Sequence, residues 1–266
     1  MAGDNRIEQA ADYQAAQHRA RKPLDLMLQP FAPQTIADAY AVQAGMVSRL
    51  AERRGPAAGY KIAYTNEVAR KLTGTTQPCY GRIPASMVYD SPAVVDSEDY
   101  AAVGIECEVA VKLGADVPAS GAPYTRESIA EYIEWLAASF ELLDMREAPT
   151  LDGQMPEICG IVVNISNGGA LLGEPVTDWR GIDLAASRGT MSINGENVGK
   201  GLGASVMGHP LEPLVWLANT LAAEGDSIKK GALVLTGTFA PPVPVSPGDE
   251  ATIHIDGLGG ARLSVQ

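Results

Sequence analysis

Apolar residues recur at three- and four-residue steps from Arg6 to Arg21 and again from Thr35 to Arg54, the spacing of one helix face. In the second segment Ile36, Ala39, Tyr40, Val42, Met46, Val47 and Leu50 form the stripe. Thr35 and Asp38 stand in capping-box positions, and Gly55-Pro56 stops the helix. A connector punctuated by Pro23, Pro30 and Pro33 separates the two helices. The period then shortens. Gly59–Thr65 reads as a strand and Asn66–Leu72 as a helical turn or two, with further strands at Val94–Val95 and Ala102–Gly114. Helical spacing returns from Thr125 to Phe140, where Ile129, Tyr132, Ile133, Leu136 and Ala137 make an apolar face. The last hundred residues are strand-rich, with runs at Val162–Ile165, Ala170–Leu172, Gly189–Ile193, Asn197–Val198, Ala232–Thr236, Glu250–Ile255 and Ala261–Val265. Asn194-Gly195 predicts a hairpin turn, and one helix from Pro210 to Glu224 interrupts the strands. The pattern predicts an α+β protein. An α-rich region, residues 1–58, packs on a mixed or mainly antiparallel β-core, residues 59–266.

The stretch Ala102–Gly114 carries the first chemistry. A strand points residues i and i+2 to one face, so Glu106 and Glu108 sit side by side in a run otherwise apolar, with Cys107 on the opposite face. Two carboxylates so placed repel, and burial makes their charge expensive. Two arrangements answer this: a hard divalent cation such as Mg²⁺ or Mn²⁺, bound through oxygen, or an edge strand with both glutamates in water. Glu141, set between Phe140 and Leu142, is a third candidate ligand, or else an exposed helix-end glutamate.

Composition narrows the partners. The 266 residues carry a net charge of −12, which argues against nucleic acid or an anionic membrane surface. No apolar run is long enough to span a bilayer, and the acidic N-terminus has no secretory h-region. Three scattered cysteines read as reduced thiols of a cytoplasmic protein, and the presence of only three histidines argues against a His/Cys zinc site. Among other polar residues, Lys61 reads as a surface lysine on spacing alone, and Ser166 as a strand serine facing solvent or substrate. His209 stands where it can cap the Pro210 helix, Asp144 and Arg146 can pair behind Glu141, and His18 and His254 read as surface residues. Gly199–Gly203 lacks a strand–helix context for phosphate binding and reads as a loop.

Seven blocks in order resemble the 2-keto-4-pentenoate hydratases and 4-oxalocrotonate decarboxylases of the fumarylacetoacetate hydrolase superfamily. They are Gly59-Tyr-Lys-Ile-Ala-Tyr-Thr-Asn66, Gln77-Pro-x-Tyr-Gly81, Gly104-Ile-Glu-Cys-Glu-Val-Ala110, Phe140-Glu-Leu-Leu-Asp-x-Arg146, Asn194-Gly-Glu196, Gly208-His-Pro-Leu-Glu-Pro-Leu-x-Trp-Leu-Ala-Asn219 and Gly257-Leu-Gly259. The resemblance implies a fumarylacetoacetase C-terminal-like mixed β-sheet core, of β-roll or sandwich type. It places Glu106, Glu108 and Glu141 on the ligands of Mg²⁺ or Mn²⁺, Lys61 on an active-site lysine, and Asn164 and Ser166 in a substrate-binding segment. Val163 stands where an aspartate is usual, and Cys79 where the loop is often acidic. The implied activity is hydration of a 2-hydroxy-2,4-dienoate to a 4-hydroxy-2-oxo acid in aromatic meta-cleavage catabolism, by a cytoplasmic homo-oligomer that can associate with a partner enzyme. Decarboxylation or C–C hydrolysis at the same metal site, or a non-catalytic subunit that binds a 2-oxo acid, stand as alternatives.

Overall fold

The computed structural model describes residues 2–146 and 156–266. Two helices, α1 (Ala2–Arg19) and α2 (Ile36–Arg54), pack against each other at the start of the chain. The Thr35 hydroxyl accepts from the Asp38 amide at 3.1 Å, and Ala39, Val42, Met46, Val47 and Leu50 are buried as their spacing predicts. Then come β1 (Ala57–Ala63), α3 (Glu67–Thr73), β2 (Cys79–Pro84), β3 (Val88–Asp90), β4 (Ala93–Val95) and β5 (Val103–Leu113). A short α4 (Arg126–Ala130) precedes β6 (Ile133–Asp144), and α5 (Pro156–Val162) precedes β7 (Asn167–Leu172). The remainder is β8 (Arg188–Ile193), β9 (Glu196–Leu202), α6 (Glu212–Ala223), β10 (Leu233–Thr238), β11 (Val243–Val245), β12 (Glu250–Ile255) and β13 (Gly259–Val265).

The strands form two sheets. The larger has the order β2-β1-β10-β5-β6-β7-β3, with β11 also paired to β5, and the smaller has the order β4-β13-β12-β8-β9. Parallel pairs (β1 with β10, β3 with β7) among antiparallel ones make the sheet mixed. Alternate residues of the central strands, Ile105, Cys107, Val109 and Val111 on β5 and Leu136, Ala138, Phe140 and Leu142 on β6, enter one core with Met191, Ile253 and Leu263 of the smaller sheet. The opposite face of β5 and β6 is therefore turned away from that core. Gln43, fully buried on α2, donates to the carbonyls of Tyr80 (3.0 Å) and Ile161 (2.9 Å), tying the helix to β2 and α5. Tyr40 stacks on Tyr80 with ring centroids 4.1 Å apart.

Several expectations change. The predicted helix Thr125–Phe140 ends at Ala130, capped by a Thr125/Ser128 box, and Ile133–Asp144 is the 12-residue strand β6. That strand is covered on both faces and shows no two-residue alternation, so its leucines and alanines mimic a helix; pairing with β5 and β7 overrides their propensity. The predicted strand Val162–Ile165 is instead the end of α5 and a tight turn. Gly199–Gly203, read as a loop, lies mostly within β9, paired to β8. His18 is buried, not exposed.

Candidate metal centre and cavity

Glu106 of β5 lies directly across the antiparallel ladder from Glu141 of β6, and Glu108 lies across from Ser139. With the two-residue strand period, all three carboxylates emerge on the face turned away from the inter-sheet core. One oxygen from each falls within 4.8 Å of the others. Glu108 and Glu141 are buried and Glu106 is half-buried. The hairpin-like register of the two central strands of the larger sheet thus builds the cluster.

Three groups answer this charge. Lys61, buried on β1, places Nζ 3.0 Å from Glu141 Oε1. Asn167 Nδ2 donates to the same oxygen at 3.0 Å. The Gly237 N–H donates to Glu108 Oε2 at 2.8 Å. That last donor exists because β10 slips register between Leu235 and Thr238, turning the intervening amide toward Glu108. Gly237 adopts φ +112°, and a Cβ there would lie 2.3 Å from Thr65 Oγ1, so only glycine fits.

The charges do not balance. Three carboxylates and one ammonium leave two negative charges, and each carboxylate pair at this spacing repels by about 3.5 kcal/mol at an effective dielectric near 20. One backbone hydrogen bond to a charged group contributes about 1.5–3 kcal/mol and does not offset that. Burial, then Glu141, pushes the Glu106 carboxyl up to about 8 despite the pull of Lys61. Burial, then Glu141 and Glu106, pushes Glu108 well above the usual carboxylate range against Gly237 and Lys61. For Lys61 burial acts downward, but Glu141, Glu106 and Glu108 outweigh it and raise the ammonium. Glu141 Oε2 is buried and accepts no hydrogen bond from any described residue. An orphaned carboxylate oxygen, an all-oxygen donor set and an excess of two negative charges fit a hard divalent cation.

Beside the cluster opens a cavity of about 300 Å³, lined by Lys61, Glu106, Glu108 and Ser166 and walled by Ile62, Ala63, Leu143, Val163, Ile165 and Pro242. Among the described lining residues Lys61 is the one cation. Ser166 lines the cavity as expected. Asn164 does not. Its Oδ1 accepts from the Arg82 amide at 2.7 Å and its Nδ2 donates to the Arg82 carbonyl at 2.9 Å, as a neighbouring strand would. This clasp holds Asn164, Ile165 and Ser166 at φ +55°, +49° and +56°, three consecutive left-handed residues that carry Ser166 to the cavity wall. Cys79 is buried in β2, its thiol pushed up to about 12 by burial and then by Glu157.

Asp144 and Arg146 do pair, at 2.7 Å, but Asp144 also accepts from the Ala101 amide and Arg146 donates to the Gln17 carbonyl, so the pair ties β6 to α1 rather than touching Glu141. His209 Nδ1 accepts from the Leu211 amide at 3.1 Å, one residue ahead of α6, so it steadies the turn into the helix rather than capping the amides of its first turn. Sequence reasoning missed Asn167, Gly237 and Tyr64, which also lines the cavity. Asn167 had one signal, its place directly after Ser166; a backbone donor at a register slip leaves none.

Residues 46–266 match the family described as fumarylacetoacetate (FAA) hydrolase C-terminal. The chain is 36% identical over 235 residues to a 2-hydroxyhexa-2,4-dienoate hydratase of Comamonas testosteroni, covering 86% of each protein. It is 29% identical over 261 residues to a 2-keto-4-pentenoate hydratase of Paraburkholderia xenovorans, covering 97% of this chain and 94% of that one. The structure of a 4-oxalocrotonate decarboxylase from Pseudomonas putida G7, complexed with magnesium and adipate, superposes with a TM-score of 0.87 at 27% identity, over 99% of this chain and 98% of that one.

Proposed function

The chain belongs to the fumarylacetoacetate hydrolase C-terminal family, and on that footing we propose that it is a divalent-metal-dependent hydratase of 2-hydroxy-2,4-dienoates. The observation that carries this reading is the convergence of Glu106, Glu108 and Glu141 within one small cluster, with Lys61 beside them, at the edge of a cavity. The three glutamates hold Mg²⁺ or Mn²⁺. A bound divalent ion there supplies Lewis acidity to the oxygen at C2 of the substrate. Lys61 Nζ anchors the substrate carboxylate and is the nearest group to give or take a proton at the C2 oxygen. Ser166 offers a hydroxyl to the same substrate, and Asn164 acts through the turn it clasps rather than by contact.

Substrate charge separates this reading from decarboxylation of a dicarboxylate. Lys61 already faces Glu141 and is the one cation among the described lining residues, so a second carboxylate on the substrate would meet a wall of apolar side chains and neutral polar groups (Tyr64, Thr65, Asn66, Ser166, Thr238) with no opposite charge. A monocarboxylate with an apolar diene tail suits that wall. Net hydration places hydroxyl on C4 and hydrogen on C3 and C5 relative to the starting dienol skeleton, with the enol hydrogen surrendered as C2 becomes a ketone.

The test is turnover of 2-hydroxypenta-2,4-dienoate by the purified protein with and without EDTA. Formation of the 4-hydroxy-2-oxo acid, lost on chelation and restored by Mg²⁺ or Mn²⁺, is expected. Turnover insensitive to chelation would refute the metal assignment, and release of CO₂ or of two acids would replace hydration by decarboxylation or hydrolysis. Stabilisation by Mg²⁺ and a 2-oxo acid with no product from any substrate would make the chain a binding subunit. A homo-oligomeric, cytoplasmic enzyme of aromatic catabolism, with a partner enzyme in the same sequence of reactions, completes the proposal. Among the described residues no helix is long and apolar enough to cross a membrane.

A further inference from the structure

Tyr64 joins β1 to α3 with φ +59°, a region disfavoured for a bulky side chain. Its carbonyl accepts a 2.6 Å hydrogen bond from Arg70 Nη1 of α3, which holds the conformation. Thr65, the next residue, packs on Gly237 beside Glu108, whereas the Tyr64 ring turns the other way, onto α5. There Gly160 makes room for it: a Cβ at 160 would lie 2.6 Å from the phenol oxygen. The hydroxyl makes no hydrogen bond to a described residue although the side chain lines the same cavity as Lys61. Burial raises the phenol against the opposing pull of Lys61, so the group stays protonated, able both to donate and to accept.

We propose that the Tyr64 hydroxyl binds and orients the water that adds to C4 of the substrate. This rests on the hydratase reading and deepens it. With the carboxylate end of the acid at Lys61, the tail points along the apolar wall toward α5, where Tyr64 supplies a polar atom free of any described protein partner. Ketonisation of the dienol needs no water at C4; the second step does. In that step the water oxygen bonds to C4, the C3=C4 π pair becomes the new C3–H bond, and one proton leaves the water as one arrives at C3. Tyr64 keeps its proton throughout and acts only by hydrogen bonding.

The experiment follows both steps in D₂O with the Mg²⁺-loaded enzyme and 2-hydroxypenta-2,4-dienoate, reading deuterium at C5 for ketonisation and 4-hydroxy-2-oxopentanoate for hydration. Tyr64→Phe is expected to ketonise within about 2-fold of the native rate while hydration falls roughly 10–100-fold, the scale of a misplaced reactant. Its melting temperature in Mg²⁺ is expected to match the native protein. Gly160→Ala, which displaces the hydroxyl without removing it, should show the same split, and it carries the test should Tyr64→Phe fold poorly. Equal losses in both steps, or undiminished hydration by Tyr64→Phe, would overturn the inference while leaving the hydratase reading intact. Absence of hydration by the native enzyme would sink both.

Discussion

Replacing Glu108 with Gln separates charge from hydrogen bonding at the candidate centre. The amide oxygen of Gln can still accept from the Gly237 N–H, now 2.8 Å from Glu108 Oε2, so the slipped segment of β10 keeps its partner. What disappears is one of three mutually repelling charges, and only the Glu106–Glu141 repulsion survives of three terms worth about 3.5 kcal/mol each. Proton uptake already relieves part of that in the ion-free protein, so the net gain is smaller, about 1–3 kcal/mol. At about 2–4 °C per kcal/mol for a chain of this size, ion-free Glu108→Gln should melt a few degrees above the ion-free native protein. The ion reverses the order. Mn²⁺ at a hundred times its dissociation constant stabilises the native protein by about 2.7 kcal/mol, or roughly 5–10 °C, and should shift the variant little. Thermal melts with and without Mn²⁺, paired with calorimetric titration, measure both signs. Unchanged Mn²⁺ affinity in the variant, or a lower melting point in the absence of ion, would refute the reasoning.

Other consequences can be read the same way. Lys61→Met leaves two buried carboxylates and a half-buried third with no cation, and without ion the protein should lose about 3–5 kcal/mol in denaturant unfolding, most of it recovered on adding Mg²⁺. Asn164→Ala strands the amide and carbonyl of Arg82 and frees the left-handed turn; a loss of about 2–4 kcal/mol is expected, with a raised KM because Ser166 moves. His18 is held neutral, its pKa lowered to about 3 by burial and then by Arg146, with Asp144 opposing and Arg54 adding to the lowering. Because the unfolded chain takes up this proton below about 6.5 and the folded chain does not, stability should fall as pH drops from 6.5 toward 3, by up to about 5 kcal/mol. His18→Asn should flatten that part of a pH-dependent melting series; an unchanged slope would assign the acid sensitivity elsewhere.

The carboxylate pair Glu106/Glu108 was legible because strand geometry alone puts i and i+2 on one face, and the valines around them mark a strand. Glu141 was legible as a candidate ligand but not as part of a strand. The Leu and Ala of β6 satisfy a helical stripe, and only the strands on both sides of it, distant in sequence, decide the matter. Lys61 stood out only through the resemblance, since nothing in Gly59–Thr65 says that its ammonium is buried. Asn164 was placed in the right segment with the wrong partner: its side chain meets backbone 82 residues away in sequence, a contact that no local pattern encodes. The register slip at Gly237 and the room above Gly160 are properties of backbone approach, visible in a sequence merely as two glycines among many.

The two ladder-paired strands that carry the acidic trio lie in the middle of an eight-stranded sheet, with hydrogen-bonded neighbours on either side. Apart from Leu143 of β6, the apolar cavity wall is drawn from other pieces: the end of β1, the reversed turn after α5, and the segment following β10. Anchorage and selectivity are therefore separable modules. On the proposed reading, swapping side chains such as Val163, Tyr64 or Pro242 should redirect which acid is accepted and what becomes of it while the ledge beneath keeps its geometry, so that one scaffold is retuned among neighbouring chemistries by exchanging its lining alone.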